Sequence, residues 1–215
     1  MKVESIQIFG VPIFRVLLEG LSDELGLEKI VRDQVYQGKP RPTDPKIISG
    51  RPSVFQSGPS LHTLDEMQLF KEKMIEIMGD VISEHGIDPS YKIEITSMWG
   101  NIQPRGHAFH RHSHHNNMFG AVYYVNQAEL KGFPNIIFWN DRRNLQLSPI
   151  RNYNHSYNAQ RFPVELKKDL LVIFPAWLEH EVVENKSFKE RISISFNIML
   201  RGRFGEINSN ESTIL

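Results

Sequence analysis

One stretch of this sequence concentrates its imidazoles: Phe109-His110-Arg111-His112-Ser113-His114-His115. Five of the nine histidines in the chain fall between His107 and His115. An apolar run typical of a buried β-strand follows at 118–125, and a second apolar run at 170–175 leads to His180. Arg191 then begins a third strand-like segment. This order predicts a β-barrel that holds a metal ion together with an anionic co-substrate.

The bulk properties of the chain favour a single intracellular domain. Its 215 residues fit one domain, and equal numbers of acidic and basic residues predict no nucleic-acid partner. The absence of cysteine excludes disulfides and thiol catalysis and fits a cytoplasmic protein. The N-terminus lacks an apolar signal core, and no apolar run reaches the roughly 20 residues that span a bilayer. A homodimer is the common assembly for such a protein.

Residues 1–90 predict an N-terminal strand and a helical layer. Apolar residues between 6 and 18 indicate a strand region, and residues 22–36 have helical spacing. Residues 37–60 are rich in proline, glycine, serine and lysine, which predicts a loop over the core. Thr63 and Glu66 form a capping box that predicts the start of the clearest helix, and Gly86 predicts its end.

Residues 91–202 predict a jelly-roll catalytic core. Successive strand patterns without intervening helices favour an antiparallel sandwich or barrel. The predicted fold class is therefore α+β, mainly β: a double-stranded β-helix with the N-terminal helices packed on one sheet. The predicted strands lie at 91–102, 119–125, 135–139, 170–174 and 192–200.

The histidine cluster has the spacing of a metal site on a strand. Side chains at positions i and i+2 of a strand point to the same face, so His112 and His114 are expected to enter one cavity. His110 would share that face on a longer strand, and His180 is placed to supply a third ligand from another strand. Three imidazole nitrogens suit a first-row metal. The alternative interpretation is a solvated polar loop with no metal.

The segment that begins at Arg191 supports a bound anion. An arginine inside a barrel can bind a carboxylate through two hydrogen bonds, and Ser193 on the same side can donate another. The alternative is an exposed cation at the end of a strand. Alternation favours the first interpretation, because it predicts an apolar face and a polar face. The apolar face carries Ile192, Ile194 and Phe196, and the polar face carries Arg191, Ser193, Ser195 and Asn197.

These residues together resemble the 2-oxoglutarate/Fe(II)-dependent oxygenases. The chain looks most similar to a small uncharacterised group from bacteria and phages that is related to prolyl hydroxylases. The resemblance runs from about residue 99 to residue 198, and it departs from the pattern where Gly120-Ala121 replaces Ser-Gly. It rests on Trp99-Gly100-Asn101, Arg105-Gly106, His112-Ser113-His114, Gly120-Ala121-Val122-Tyr123-Tyr124, Phe174-Pro175-Ala176-Trp177-Leu178-Glu179-His180 and Arg191-Ile192-Ser193-Ile194-Ser195-Phe196-Asn197.

The resemblance implies a metal site in which His112, His114 and His180 bind Fe(II). Oxygenases of this kind usually use two histidines and one carboxylate, so His114 would stand where an aspartate or glutamate is usual. The extra histidines leave His110 and His112 as an alternative pair. Alignment on the two tyrosines selects His112 and His114.

The resemblance also implies a co-substrate site and a reaction. Arg191 and Ser193 would bind the C5 carboxylate of 2-oxoglutarate, and the pocket would be completed by Tyr123, Asn101 or Asn197. The enzyme would hydroxylate a substrate with dioxygen and release succinate and carbon dioxide. The sequence does not name that substrate, although residues 37–60 and 141–162 are predicted to border the mouth of the site.

Two other functions remain open from the sequence. A cupin-like metalloenzyme could use three histidines without 2-oxoglutarate, although the Arg191-Ile192-Ser193 segment argues against it. A non-catalytic jelly-roll binding module could use its tryptophans and tyrosines as a stacking surface. Production of succinate that depends on added 2-oxoglutarate would exclude the cupin-like enzyme, and a binding module should keep its ligand when the metal is removed.

Overall fold

The structure is a computed structural model that describes residues 10–37, 55–126, 134–140, 159–206 and 210–215. The helices in these ranges are α1 (Leu21–Glu24), α2 (Leu27–Tyr36) and α3 (Gln68–Glu84). The strands are β1 (Phe14–Leu17), β2 (Phe55–Gln56), β3 (Lys92–Gln103), β4 (Phe109–His112), β5 (Phe119–Tyr124), β6 (Pro134–Trp139), β7 (Arg161–Glu165), β8 (Leu170–Pro175), β9 (His180–Val182), β10 (Arg191–Arg201), β11 (Arg203–Phe204) and β12 (Thr213–Ile214).

Two antiparallel sheets form the body of the protein. The six-stranded sheet has the order β1-β8-β5-β10-β3-β2, and the four-stranded sheet has the order β4-β9-β6-β7. Val122 and Val172 of the first sheet pack with Ile136 and Phe138 of the second in one apolar cluster. This arrangement is a jelly roll, and the predicted fold class is confirmed.

The helices cover the other side of the six-stranded sheet. Phe70 and Met74 of α3 lie in the same buried cluster as Ile194 and Phe196 of β10. The apolar side of α3 therefore meets the apolar face predicted on β10, as helix-on-sheet packing requires. None of the helices in the described part of the chain combines the length and apolar character needed to cross a membrane.

The N-terminal boundaries of the helices differ from the predictions. Two short 3₁₀ turns, at 61–63 and 65–67, precede α3, so the helix begins at Gln68 rather than at Thr63. The predicted capping box is wrong, because the Thr63 hydroxyl donates to the Ser60 carbonyl (2.8 Å) and caps no helix. The predicted end is confirmed, since Gly86 takes the left-handed conformation (φ 75°) that favours glycine after a helix.

The segments that were predicted as one helix and one loop are also more complex. The helical segment 22–36 divides into α1 and α2 at Gly26, which has φ 60°. The predicted loop 37–60 contains β2, which extends the six-stranded sheet beside β3. Most of that loop, and residues 141–158 of the second segment expected at the mouth, lie outside the described residues.

Candidate metal and anion site

Three histidines meet between the two sheets. The ligand nitrogens of His112, His114 and His180 all lie within 4.8 Å of one another. Among the described residues, these three side chains form a group that could hold a metal ion. The ring centroids are 4.4 Å apart for His112 and His180, and 5.2 Å apart for His114 and His180. Such a spacing lets one ion contact all three rings.

The four-stranded sheet positions this group. His112 on β4 is the direct antiparallel partner of His180 on β9, so the sheet itself brings these two rings together. His114 lies two residues beyond the end of β4, where its backbone N–H donates to the Ala176 carbonyl (2.8 Å). His110 is exposed and lies outside the group, so the structure favours the pair His112 and His114 over His110 and His112.

Each ring in the group has its Nδ1 atom beside an oxygen acceptor. Nδ1 of His112 lies 2.7 Å from the His110 carbonyl oxygen, and Nδ1 of His180 lies 3.0 Å from that of Leu178. Nδ1 of His114 contacts the side-chain oxygen of Asn197. A neutral imidazole that donates from Nδ1 keeps its lone pair on Nε2. The three Nε2 atoms are therefore available to one metal ion.

The surroundings keep two of the rings neutral. Burial, reinforced by the nearby His112, lowers the pKa of His180 to about 3. Burial also lowers the pKa of His114, against the raising effect of its bond to Asn197. Metal ions bind the neutral form of imidazole, so these shifts favour metal binding at neutral pH.

Arg191 places a buried cation in the cavity that the three histidines line. Its side chain is only 5% exposed, and burial lowers its pKa. No described carboxylate pairs with it, its Nε has no hydrogen-bond partner, and one guanidinium nitrogen is 3.5 Å from the Val183 carbonyl. An unpaired buried charge is costly, which indicates that this guanidinium is suited to an anionic ligand.

Tyr124, rather than Tyr123, faces this cavity. Tyr124 is the direct strand partner of Ser193, and its buried hydroxyl has no hydrogen-bond partner among the described residues. Burial raises the pKa of Tyr124, and Arg191 is near enough to offset part of that rise. The expectation for Tyr123 is wrong, because its ring packs against Phe70 on the helix side (5.2 Å between centroids).

The cavity that joins the histidines to Arg191 is called the inner cavity here. It encloses about 550 Å³ with its open mouth included, and none of the described residues that line it is acidic. Asn101 donates to the Ser195 hydroxyl (3.0 Å) and accepts from Gln56 (2.8 Å), so its amide is anchored inside the cavity. The polar residues that line the inner cavity, besides the histidines and Tyr124, are Gln56, Asn101, Gln103, Arg191, Ser193 and Ser195.

Residues outside the predicted set hold Arg191 in place. The side chain of Asn126 accepts from the Ile192 backbone N–H (2.8 Å) and donates to the Glu190 carbonyl (3.1 Å). The side chain of Glu190 pairs with Arg32 of α2 (2.7 Å). Because Asn126 lies two residues beyond the end of β5, only knowledge of the pairing between β5 and β10 could have revealed this role.

The site fits a metal and a dicarboxylate at two ends of one cavity. Three imidazoles offer nitrogen ligands on one side of the ion, which leaves other coordination positions open. Arg191 lies within the same lining, where its charge and the Tyr124 hydroxyl suit a carboxylate. The residues present therefore fit Fe(II) and 2-oxoglutarate.

Comparison with known proteins agrees with this geometry. Residues 97–197 match the family model described as "Putative 2OG-Fe(II) oxygenase". The matched part contains the three histidines and every other residue of the predicted site, from Asn101 to Asn197. No protein of curated function matches the sequence.

Solved structures share the fold at low sequence identity. A prolyl-4-hydroxylase from Pseudomonas putida is 14% identical with a TM-score of 0.56, and the match covers 88% of this chain and 93% of that one. The non-heme alpha ketoglutarate dependent epimerase SnoN of nogalamycin biosynthesis is 12% identical with a TM-score of 0.63, covering 93% and 81%. HygX from Streptomyces hygroscopicus, solved with nickel and 2-oxoglutarate, is 7% identical with a TM-score of 0.58, covering 88% and 83%.

Residues 97–197 thus match the class of 2-oxoglutarate- and Fe(II)-dependent oxygenases, and solved structures described as such enzymes share the fold of this chain. Fe(II) and 2-oxoglutarate are the metal and the co-substrate of this class. The Pseudomonas putida prolyl-4-hydroxylase shares the fold of this chain, as the resemblance to prolyl hydroxylases led us to expect.

Proposed function

We propose that the protein hydroxylates a substrate that remains to be identified, with His112, His114 and His180 as the Fe(II) ligands. Arg191 would bind the C5 carboxylate of 2-oxoglutarate, assisted by Ser193 and Tyr124. The observation that carries this proposal is Arg191, a buried cation with no described carboxylate partner in the cavity of the three histidines.

The chain's own residues would bind, orient and enclose the reactants. Arg191 would fix one end of the co-substrate, which leaves its keto acid end directed toward the histidines. The fully buried Ile192 and Ile194 pack on the far side of β10 and anchor the strand that carries Arg191. When bound, Fe(II) with 2-oxoglutarate and dioxygen supplies the oxidation that converts a C–H bond to C–OH and yields succinate and carbon dioxide.

The primary substrate would approach through a groove that opens beside the histidines, called the outer groove here. It shares Gln56, Trp99, Phe109, His112 and His114 with the inner cavity. A molecule in this groove could therefore reach the metal while the co-substrate occupies the inner cavity. Trp99, whose ring centroid lies 6.0 Å from that of His114, offers an aromatic surface next to the metal site.

The proposal is tested by anaerobic reconstitution with Fe(II), followed by titration with 2-oxoglutarate. We expect stoichiometric metal binding and a weak visible charge-transfer absorption that appears only with both components, because the keto acid end would contact the metal. Admission of dioxygen should then yield succinate. His180→Ala is the matched variant, and it should lose the absorption because one ligand is missing.

Two other outcomes would contradict the proposal in different ways. Metal binding without a response to 2-oxoglutarate would favour a three-histidine metalloenzyme of another kind. This is the second candidate, because no carboxylate of the described residues joins the three histidines. Failure to bind any metal would favour a non-catalytic binding module. Cytoplasmic location and assembly as a homodimer stay predictions from the sequence, to be checked by fractionation and by sedimentation.

A further inference from the structure

We propose that Asn197 is a positioning residue that fixes the ring tautomer of His114 and so presents Nε2 of that ring to the metal. This inference rests on the proposed function, because it assigns a role within the same metal site. It differs from the co-substrate contact that the resemblance implied for Asn197. The side-chain oxygen of Asn197 contacts Nδ1 of His114.

The hydrogen-bond acceptor beside Nδ1 of His114 is a side chain, whereas the acceptors beside Nδ1 of the other two histidines belong to the backbone. Nδ1 of His112 and of His180 each lies near the carbonyl oxygen of the residue two positions earlier. Those carbonyls are fixed by the local chain and can only accept a hydrogen bond. His114 reaches across to β10 instead, so its tautomer is set by the identity of residue 197.

The amide of Asn197 is itself held in one orientation. Its nitrogen lies 3.0 Å from the hydroxyl oxygen of Ser97, which is its direct partner on β3. With the nitrogen engaged there, the oxygen faces His114 and accepts its Nδ1–H. A neutral imidazole carries one N–H, so the lone pair is left on Nε2.

The neighbouring strand leaves room for this arrangement. Gly120 on β5 is the partner of Asn197 on the other side, and a Cβ atom added there would lie 3.5 Å from Nδ1 of His114. The same atom would lie 2.8 Å from the ring of Phe174, which meets the His114 ring edge-on. The ring is therefore confined between Asn197, Gly120 and Phe174, and its orientation is built into the sheet.

The test measures Co(II) affinity of the purified full chain by calorimetry. Loss of the partner of a metal-ligating histidine typically weakens metal binding about 10- to 100-fold, and we expect this for Asn197→Leu. Asn197→Asp should stay within about threefold of wild type, since a carboxylate oxygen accepts the same N–H. Equal affinity for wild type and Asn197→Leu would overturn the inference.

Thr96→Val is the matched control for a general disturbance of the strands. The Thr96 hydroxyl donates to the side-chain oxygen of Asn117 (2.7 Å) and lies 3.4 Å from the backbone oxygen of Asn197, and none of the hydrogen bonds described for it involves His114. We expect wild-type Co(II) affinity for this variant, and a loss equal to that of Asn197→Leu would contradict a specific role of the amide. Ser97→Ala, which frees the amide to turn, should weaken binding and replaces Asn197→Leu if that variant does not fold.

Nitrogen-15 NMR of the metal-free protein provides a readout that does not depend on metal. His114 should show the Nδ1–H tautomer in wild type and a mixture of tautomers in Asn197→Leu, with the signal assigned by its absence in His114→Gln. An unchanged tautomer in Asn197→Leu would overturn the inference while leaving the proposed function intact. Failure of wild type to bind Co(II) would instead overturn the proposed function.

Discussion

The two faces of the six-stranded sheet meet very different surroundings. On the helix side, alternate residues of β10 such as Ile194 and Phe196 are fully buried with Phe70 of α3. On the side of the inner cavity, the intervening residues include Arg191 and Ser193, which line a polar space. One strand therefore serves the stability of the fold with one face and the chemistry of the site with the other.

Adjacent tyrosines of β5 show the same contrast at the level of single hydroxyl groups. The Tyr123 hydroxyl on the helix side donates to the buried carboxylate of Asp169 (2.6 Å). The Tyr124 hydroxyl on the cavity side is buried and has no partner among the described residues. The Tyr123 hydroxyl is thus satisfied in the free protein, whereas the Tyr124 hydroxyl would gain a partner from a ligand bound in the cavity.

The largest expected effect comes from removing the apolar contact of the helix side. Phe70→Ala should lower the free energy of unfolding by about 3–5 kcal/mol, because a fully buried ring is lost and a cavity remains. Chemical denaturation measures the change. Leu69→Ala is the matched control, since Leu69 is 65% exposed, and it should change stability by less than about 0.5 kcal/mol.

On the cavity side, Arg191→Met should affect the ligand rather than the fold. We expect 2-oxoglutarate to bind about 30- to 1,000-fold more weakly, which corresponds to about 2–4 kcal/mol for a lost buried charge contact. The free energy of unfolding of the ligand-free protein should stay equal or rise, because an unpaired buried cation is removed.

Titration calorimetry and denaturation of the same sample separate these two effects of Arg191→Met. Arg201→Met is the control, since Arg201 lies on the same strand and pairs with Glu94 at the surface. A stability loss in Arg191→Met with unchanged affinity for 2-oxoglutarate would reverse the roles that we assign to the two faces.

The contrast between the faces shows what the sequence could and could not predict. The period of two in β10 is a local property, so it correctly separated Ile194 and Phe196 from Arg191 and Ser193. The register between two strands decides which residues of the second strand face the cavity. The local sequence pattern of a single strand does not predict that register. The resemblance implied Tyr123, whereas the register between β5 and β10 makes Tyr124 the partner of Ser193.

Short elements were missed for a related reason. The two-residue strand β2 and the three-residue strand β9 exist because neighbouring strands supply their hydrogen-bond partners. Neither is long enough to show a period of its own. The start of α3 was misplaced because Thr63 uses its hydroxyl within a 3₁₀ turn, and a capping box cannot be distinguished from that arrangement by residue type alone.

A smaller effect is expected when the hydroxyl on the helix side is removed. Tyr123→Phe should lower the free energy of unfolding by about 1–3 kcal/mol, because the buried carboxylate of Asp169 loses a donor. Affinity for 2-oxoglutarate should not change, since the ring lies on the far side of the sheet. Weaker co-substrate binding in this variant would show that the two faces are coupled.

The carboxylate of Asp169 adds a pH dependence to the helix side. Burial acts to raise its pKa, but hydrogen bonds from Ser22, Tyr123 and Gly20 outweigh burial and lower the pKa below its usual range. Its stabilising contribution is therefore present above the unfolded pKa of about 3.9 and is lost as the pH falls through the lower folded value. The stability advantage of wild type over Asp169→Asn should be constant above about pH 5 and shrink below about pH 4 in urea titrations. A difference that stays constant down to pH 3 would contradict this role.

The smallest predicted effect concerns the hydroxyl on the cavity side. Tyr124→Phe removes a single neutral hydrogen bond to the co-substrate, so 2-oxoglutarate should bind about 2- to 10-fold more weakly, by about 0.5–1.4 kcal/mol. The ligand-free protein should be as stable as wild type or more stable, because the lost hydroxyl is buried without a described partner. Tyr123→Phe and Tyr124→Phe thus remove the same atom from adjacent residues and should give opposite patterns in denaturation and calorimetry. If both variants lost stability and neither lost affinity, the unpaired hydroxyl of Tyr124 would belong to the fold, and Arg191 would bind the carboxylate without it.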